Sequence, residues 1–354
     1  MKENENCQNR IEYLDILRIV ATIAVIMIHV AASRWYFGDI NSFDWIVIVT
    51  YDGIVRWAVP IFVMISGVLF LEKENIGITQ LYRKYIFKIV IVFIIWSAIY
   101  LLDSVMRDNL NSKECIVKFF RGEFHMWYLH MIVGLYMLVP LLKEIVRNMT
   151  LTKYFLALTL VFTFVLPYIA DLFLLVDSSI NMIIEEGIEN INFHFTLGYV
   201  GYFVLGYYLN RINTDGKIKW LIYFLGAIGF VFTVLLTLQM SWVKKIPDET
   251  FYDSFTLNVM FESIAIFVLI KNNFQKLKTN FFKKEIIKKM SKYTFGVYLS
   301  HVLVINYVFS AIEKKDINCC SLIYIPMITL LVTIISFGIS IVLNRLPIVR
   351  RYMV

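Results

Sequence analysis

Apolar runs long enough to cross a lipid bilayer recur along the whole chain, and they decide what it can fold into. Ile86–Leu102 is interrupted by a single charge, Lys88, and Ser321–Leu343 carries none. Crossing hydrocarbon takes about 20 apolar residues in a helix. Inside hydrocarbon every backbone N–H and C=O must be bonded within the protein, which leaves only helices and closed barrels. A barrel would read as short segments alternating apolar and polar, and these runs do not alternate. With 59% hydrophobic and 17% charged residues among 354, the chain lacks the polar surface of an ordinary soluble domain. Its mean hydropathy is +0.69. The reading is an all-α polytopic membrane protein, a bundle of about ten transmembrane helices.

The helices are expected at 11–32, 45–71, 85–106, 125–146, 153–173, 193–210, 219–242, 254–271, 293–312 and 321–344. The first is not expected to be a cleaved signal peptide: its leader is mixed in charge, Asp15 and Arg18 interrupt its first turns, and no small-x-small site follows. Residues 1–344 form one expected domain and 345–354 a short cytoplasmic tail. Loop charge tests the count independently. The connecting segments on the amino-terminal side sum to +15, and those on the opposite side to −7. Cytoplasmic loops carry the Lys/Arg excess, so both termini are expected in the cytoplasm.

The basic inner face includes eight lysines within 271–292. Anchoring to anionic lipid accounts for most of them, and docking of a polyanionic cytoplasmic ligand is the sharper alternative. Nucleic acid is not expected as a partner, because no binding module accompanies the charge. Cys7, Cys115, Cys319 and Cys320 show no zinc spacing, so no metal site is expected. Cys115 and the Cys319–Cys320 pair share the outer side and could form a disulfide there. The stretch 178–190 reads as an interfacial helix.

An ionisable residue at bilayer depth is expensive unless paired or hydrated, and so is a functional candidate by default. Helix 1 carries the best constellation. Arg18 and His29 are eleven residues apart; at about 100° per residue that is about 20° past three turns, so they share a face about 16.5 Å apart. Asp15 joins that stripe. The plainer alternative is an Asp15–Arg18 pair at the interface with His29 as a core histidine. Asp52 and Arg56 have the spacing of an intrahelical ion pair, and Pro60 should kink the same helix. Ser66 and Gly67 permit close helix approach. His130 sits near the outer end of the fourth helix, beside Trp127 and Tyr128, which read as an interfacial aromatic belt. His301 falls toward the inner half of the ninth helix, where packing and pathway lining are equally plausible. Glu262 has no local partner and must find one across helices.

The order of these segments resembles a known family. YLDILRIVATIAVIMIHV is similar to the opening helix of the integral-membrane acyltransferase family called acyltransferase 3, with an Arg, ten residues and a His, here Arg18 and His29. AVPIFVMISGVLF resembles its second-helix motif with a Ser–Gly pair, here Ser66–Gly67. LYRKYIFKI looks like the basic start of its third helix, with Arg83 and Lys84. HMWYLHMIVGLYMLVPLL, GYFVLGYYL and KYTFGVYLSHVLVI resemble its fourth, sixth and penultimate helices. The resemblance implies an enzyme that uses cytoplasmic acyl-CoA, usually acetyl-CoA, to acylate a hydroxyl, often on a surface polysaccharide of a bacterium. The acyl-CoA is a co-substrate, with no permanently bound cofactor. Two branches look closest: polysaccharide O-acetyltransferases, and the membrane half of vancomycin-resistance serine racemases, regarded as a serine transporter. Neither an esterase-like nor a racemase domain is expected within residues 1–354. On the leading reading His29 is a general base beside Arg18 on one catalytic stripe, and Arg83, Lys84 and Ser66 bind the donor. Asp15, Asp52, Arg56, His130, Glu262 and His301 line the pathway or serve structure. The transporter alternative would use the same buried charges to bind a zwitterion.

The charge asymmetry generates a direct test of topology. Cysteines introduced by Gly187→Cys and Asp248→Cys should be labelled in intact cells by an impermeant thiol reagent, and Glu285→Cys should not. Labelling at 285 from outside would invert or break the ten-helix topology.

Overall fold

The computed structural model describes residues 12–35, 38–73, 76–107, 110–175, 198–274, 281–313 and 320–353. Every regular element among them is helical, and nine stretches are long and apolar enough to cross a membrane. In chain order the helices are α1 (Glu12–Trp35), α2 (Phe43–Gly53), α3 (Ala58–Leu71), α4 (Ile78–Arg107), α5 (Ser112–Arg121), α6 (Trp127–Arg147) and α7 (Met149–Phe173). They continue as α8 (Val200–Arg211), α9 (Lys217–Lys244), α10 (Leu257–Phe274), α11 (Phe281–Glu313), α12 (Ser321–Arg345) and α13 (Pro347–Tyr352). Phe224, Val231, Leu330 and Ile334 are exposed on the outside of the bundle, where a soluble protein would place polar residues. This is a multi-pass membrane protein.

Polar contacts gather the helix ends into two opposite layers. On the amino-terminal side, Tyr13 donates to Asn210 (2.6 Å) and Ser291 donates to Asp15 (2.7 Å). There too Arg211 forks onto Glu72 (2.9 and 2.7 Å). The Lys271 ammonium bonds three carbonyls, those of Leu209, Asn210 and Ile212, at 2.6–3.0 Å. On the far side Asp44 accepts from the Ser321 amide (2.7 Å) and hydroxyl (2.6 Å), and Tyr307 donates to Asp103 (2.9 Å). The helices therefore alternate in direction, as the sequence order requires.

Several boundaries differ from expectation, each for a local reason. The second span is two helices rather than one kinked helix. Pro60 has no N–H to give the Arg56 carbonyl four residues back, and its ring crowds that carbonyl. The chain turns over Ile54–Trp57 instead, sealed by the Trp57 indole on the Ile54 carbonyl (2.7 Å). The lysine-rich stretch before the ninth span is not a loop: α11 begins at Phe281, twelve residues earlier than expected. Its Lys and Glu residues are good helix formers. The polar gap 107–124 contains α5, closed by a reciprocal Asn111–Glu114 capping box. Within the expected tail, 345–354, α13 forms, and the Met353 carbonyl just after it accepts from the Trp96 indole of α4 (2.9 Å).

Of the sixth span the structure describes α8, only twelve residues long; 193–197 and the interfacial stretch 178–190 lie outside the described residues. Cys115 and Cys320 are free thiols, which removes the disulfide between them: Cys320 precedes α12 and donates to Asp44 (3.5 Å). Cys7 and Cys319 lie outside the described residues.

α8 is short yet central, because glycine lets it touch α3 backbone to backbone. A Cβ on Gly67 would sit 1.8 Å from the Phe203 carbonyl oxygen, and one on Gly206 would sit 2.3 Å from that of Met64. Gly134 of α6 has nothing within 4 Å of the same position. Gly67→Ala and Gly206→Ala should therefore each lower stability by about 1–3 kcal/mol through overpacking, despite alanine's better helix propensity. Gly134→Ala should be neutral or slightly stabilising. Thermal unfolding in detergent measures this; an unchanged midpoint for Gly67→Ala would contradict the close crossing.

Candidate functional site

With its back held against α8, α3 turns Val59, Phe62, Ile65, Ser66 and Leu69 the other way, one helical face at spacings of three and four. That face walls a cavity of about 460 Å³, within the usual range of small-ligand sites. α1 supplies Arg18, Val25, Ile28 and His29, the stripe read from its sequence. α4 contributes Lys84, Tyr85, Lys88 and Ile89, α6 contributes Tyr128, Ile132 and Tyr136, and α11 contributes Thr294, Phe295 and Tyr298. Lys84 and Tyr85 lie in a π-helical turn, Leu81–Ile86, an irregularity found often at functional sites.

The cavity is polar at its two ends and apolar between them. Toward the amino-terminal side lie Arg18, Lys84 and Lys88. Asp15 accepts from Arg18 (3.3 Å) and from Ser291 (2.7 Å), which fixes its position. Toward the far side lie His29, Arg56, His125, Trp127, Tyr252 and Ser254. His29 and Arg18 are eleven residues apart on one helix, so the cavity reaches across about 16 Å of the membrane.

His29 sits in a cluster of three imidazoles. Its ring stacks on His301 with centroids 5.2 Å apart, and His125 meets His301 edge-on at 5.0 Å. The ring of Phe124 packs against His29 at 5.1 Å. His301 Nδ1 is 2.6 Å from the Tyr298 carbonyl, so Nδ1 carries the proton and Nε2 is the free acceptor. That Nε2 is buried without a partner, as are both ring nitrogens of His125. The Leu299 carbonyl near His125 is bonded by Tyr100 (2.8 Å). A neutral imidazole open to the cavity, backed by a second of fixed tautomer, can accept and return a proton.

The structure distributes the sequence candidates unevenly. His29, Arg18, Ser66, Lys84 and Arg56 line the cavity. Arg83 points elsewhere and is exposed; the second lysine at the cationic end is Lys88, one helical turn beyond Lys84. Ser66 donates to the Phe62 carbonyl (3.0 Å) in its own helix. His301 is not in the inner half of its helix: with α11 starting at Phe281, it rises to the level of His29. His130 is exposed and packs on Phe93 at 4.4 Å, away from the cavity. Five residues earlier His125 joins the cluster instead, placed by a single 3-10 turn, Phe124–Met126, ahead of α6. Trp127 and Tyr128 line the cavity rather than forming a plain lipid-facing belt. Glu262 finds its partner on α9, accepting from Thr233 at 2.5 Å. Asp52 and Arg56 are ion-paired, with Arg56 stacked over Tyr252 at 4.1 Å. Among the described residues no group of three His, Cys, Asp or Glu side chains has the arrangement of a metal site.

The acyltransferase 3 family model, which describes an acyltransferase domain, matches residues 11–345. The chain belongs to the acyltransferase 3 family. None of the curated proteins and none of the solved structures matches it. The match spans every helix from α1 to α12, including all the residues that line the cavity. The protein is thus a membrane acyltransferase. The histidine cluster lies where the cavity nears the far side.

Proposed function

We propose that this acyltransferase moves an acyl group, acetyl in the first instance, from cytoplasmic acyl-CoA to a hydroxyl of an extracytoplasmic acceptor such as a cell-surface glycan, across the cytoplasmic membrane of a bacterium. The observation that carries the reading is the polarity of the cavity, cationic at the amino-terminal end and histidine-lined near the other. On this reading the amino-terminal side is cytoplasmic, in agreement with the loop charges.

CoA is a polyanion with a long thin arm that ends in the thioester. Its phosphates suit Arg18, Lys84 and Lys88, which offer charge-assisted bonds at one end of the cavity. The arm would lie along the apolar middle of the cavity, past Ser66, Ile65 and Ile132. The thioester would then stand beside His29, and a hydroxyl entering past Trp127 and Ser254 would meet it. In the transfer His29 takes the hydroxyl proton as the acceptor oxygen bonds to the carbonyl carbon. The carbon–sulfur bond then breaks, and the thiolate recovers the proton from the imidazolium. Apolar walls keep water from competing for the acyl group.

His29→Ala should lower acetyl-CoA turnover by about 10²–10⁴-fold per folded molecule, the usual contribution of a positioned base. Acetyl-CoA binding should survive, since the cations that hold it are about three turns away. The experiment measures thiol release and donor binding on the same nanodisc preparation. Full turnover by the folded variant would remove the general-base role. Serine uptake by proteoliposomes with no dependence on acyl-CoA would replace the whole reading with transport.

A further inference from the structure

When a hydroxyl adds to a thioester, negative charge collects on the former carbonyl oxygen, and hydrogen-bond donors fixed at that point are often the largest single contribution to catalysis. His29 cannot serve as both base and donor in the same step. The cations at the other end of the cavity are too far: Arg18 is about 16.5 Å along α1 from His29, and Lys84 and Lys88 lie at the same end as Arg18. Among the four described cations that line the cavity, Arg56 shares the end at which His29 lies.

Arg56 is unusually well fixed. It sits in the turn between α2 and α3 that Pro60 enforces, so its side chain enters the cavity from a break in the helix rather than from a regular face. Its Nη2 donates to Asp52, which is fully buried. The guanidinium lies over Tyr252 at 4.1 Å, and Tyr252 is itself tied to the Val49 carbonyl (2.6 Å). A guanidinium has five N–H donors. Asp52 takes a bond from Nη2, and Nε is buried without any partner. A buried ion pair of this kind adds little net stability over an apolar pair of the same size. What it does supply is a rigid, half-buried cation with a donor in reserve at the same end of the cavity as the base.

We propose that Arg56 is a catalytic residue whose guanidinium binds the thioester carbonyl oxygen and stabilises the oxyanion, with Asp52 and Tyr252 holding it in place. This rests on the acyl-transfer reading. As the acceptor oxygen bonds to the carbonyl carbon, its proton passes to His29 and the carbonyl π pair moves onto the oxygen facing Arg56. Collapse of the intermediate restores the carbonyl and expels the CoA thiolate, which takes the proton from His29. Acyl-CoA and a hydroxyl are the only reactants.

The test compares wild type with Arg56→Lys, Arg56→Gln and the double variant Asp52→Asn/Arg56→Gln, in nanodiscs, with acetyl-CoA as donor and N-acetylglucosamine as acceptor probe. The double variant removes both buried charges together, so it leaves no unpaired carboxylate to unfold the protein. Thiol release gives kcat, and direct binding gives the acetyl-CoA Kd. Both Gln variants should lose kcat by about 10²–10³-fold with Kd unchanged. Arg56→Lys, a point charge without the fork, should fall between them and wild type. It also reports on the proposal should the Gln variants fail to fold. Wild-type kcat in the folded double variant, or a weakened Kd with kcat retained, would overturn the proposal while leaving acyl transfer intact. Absence of thiol release from wild type would overturn the acyl-transfer reading and the proposal with it.

Discussion

At Gly67 the backbone of α3 meets the Phe203 carbonyl so closely that a Cβ would overlap it, and Gly206 makes the reciprocal approach to Met64. Within hydrocarbon there is no hydrophobic drive to bring helices together, and small residues that allow such contact are the main means of fixing a crossing. Everything on the other face of α3 inherits that position. Phe62, Ser66 and Leu69 become a cavity wall because the glycine face is already taken. The break that Pro60 imposes above this crossing leaves Arg56 where a continuous helix would have placed only another turn.

The same solvent logic sorts the polar residues. Some polar groups are satisfied close by: Lys271 on three carbonyls and Asp44 on Ser321. Polar atoms that end without partners despite burial include His301 Nε2, both nitrogens of His125 and Arg56 Nε, and these belong to side chains in or beside one cavity. A buried unpartnered polar atom costs free energy comparable to a lost hydrogen bond. Unpartnered buried atoms also occur elsewhere, at Trp35, Ser97 and Ser336 among others, and what sets the cavity apart is that three imidazoles meet at one end of it.

The arrangement of spans and the Arg18–His29 stripe were legible in the sequence because helical periodicity and loop charge are read over many residues at once. His125 was not legible. It stands in a single 3-10 turn at a helix entrance, where no period applies, and the reading of that span names only His130, in the helix proper. The level of His301 was lost for a related reason: a run of lysines reads as a loop, whereas the chain continues as helix through it and shifts the histidine by about 18 Å relative to the helix start. Trp127 and Tyr128 have the composition of an interfacial belt, and it is packing of Trp127 on Tyr199 and of Tyr128 on Phe62 and Tyr298 that sets them in the cavity lining. The Asp52–Arg56 pair was visible as a spacing, but its stacking on Tyr252, about two hundred residues away in sequence, was not.

Transfer across the membrane is the central claim, and the sidedness of the reaction tests it most directly. Inside-out membrane vesicles that contain the protein would be loaded with N-acetylglucosamine and given labelled acetyl-CoA, which does not cross lipid, on the outside. The account predicts acetylated sugar in the lumen and free CoA outside. Acetylation only of sugar supplied on the same side as acetyl-CoA would contradict it.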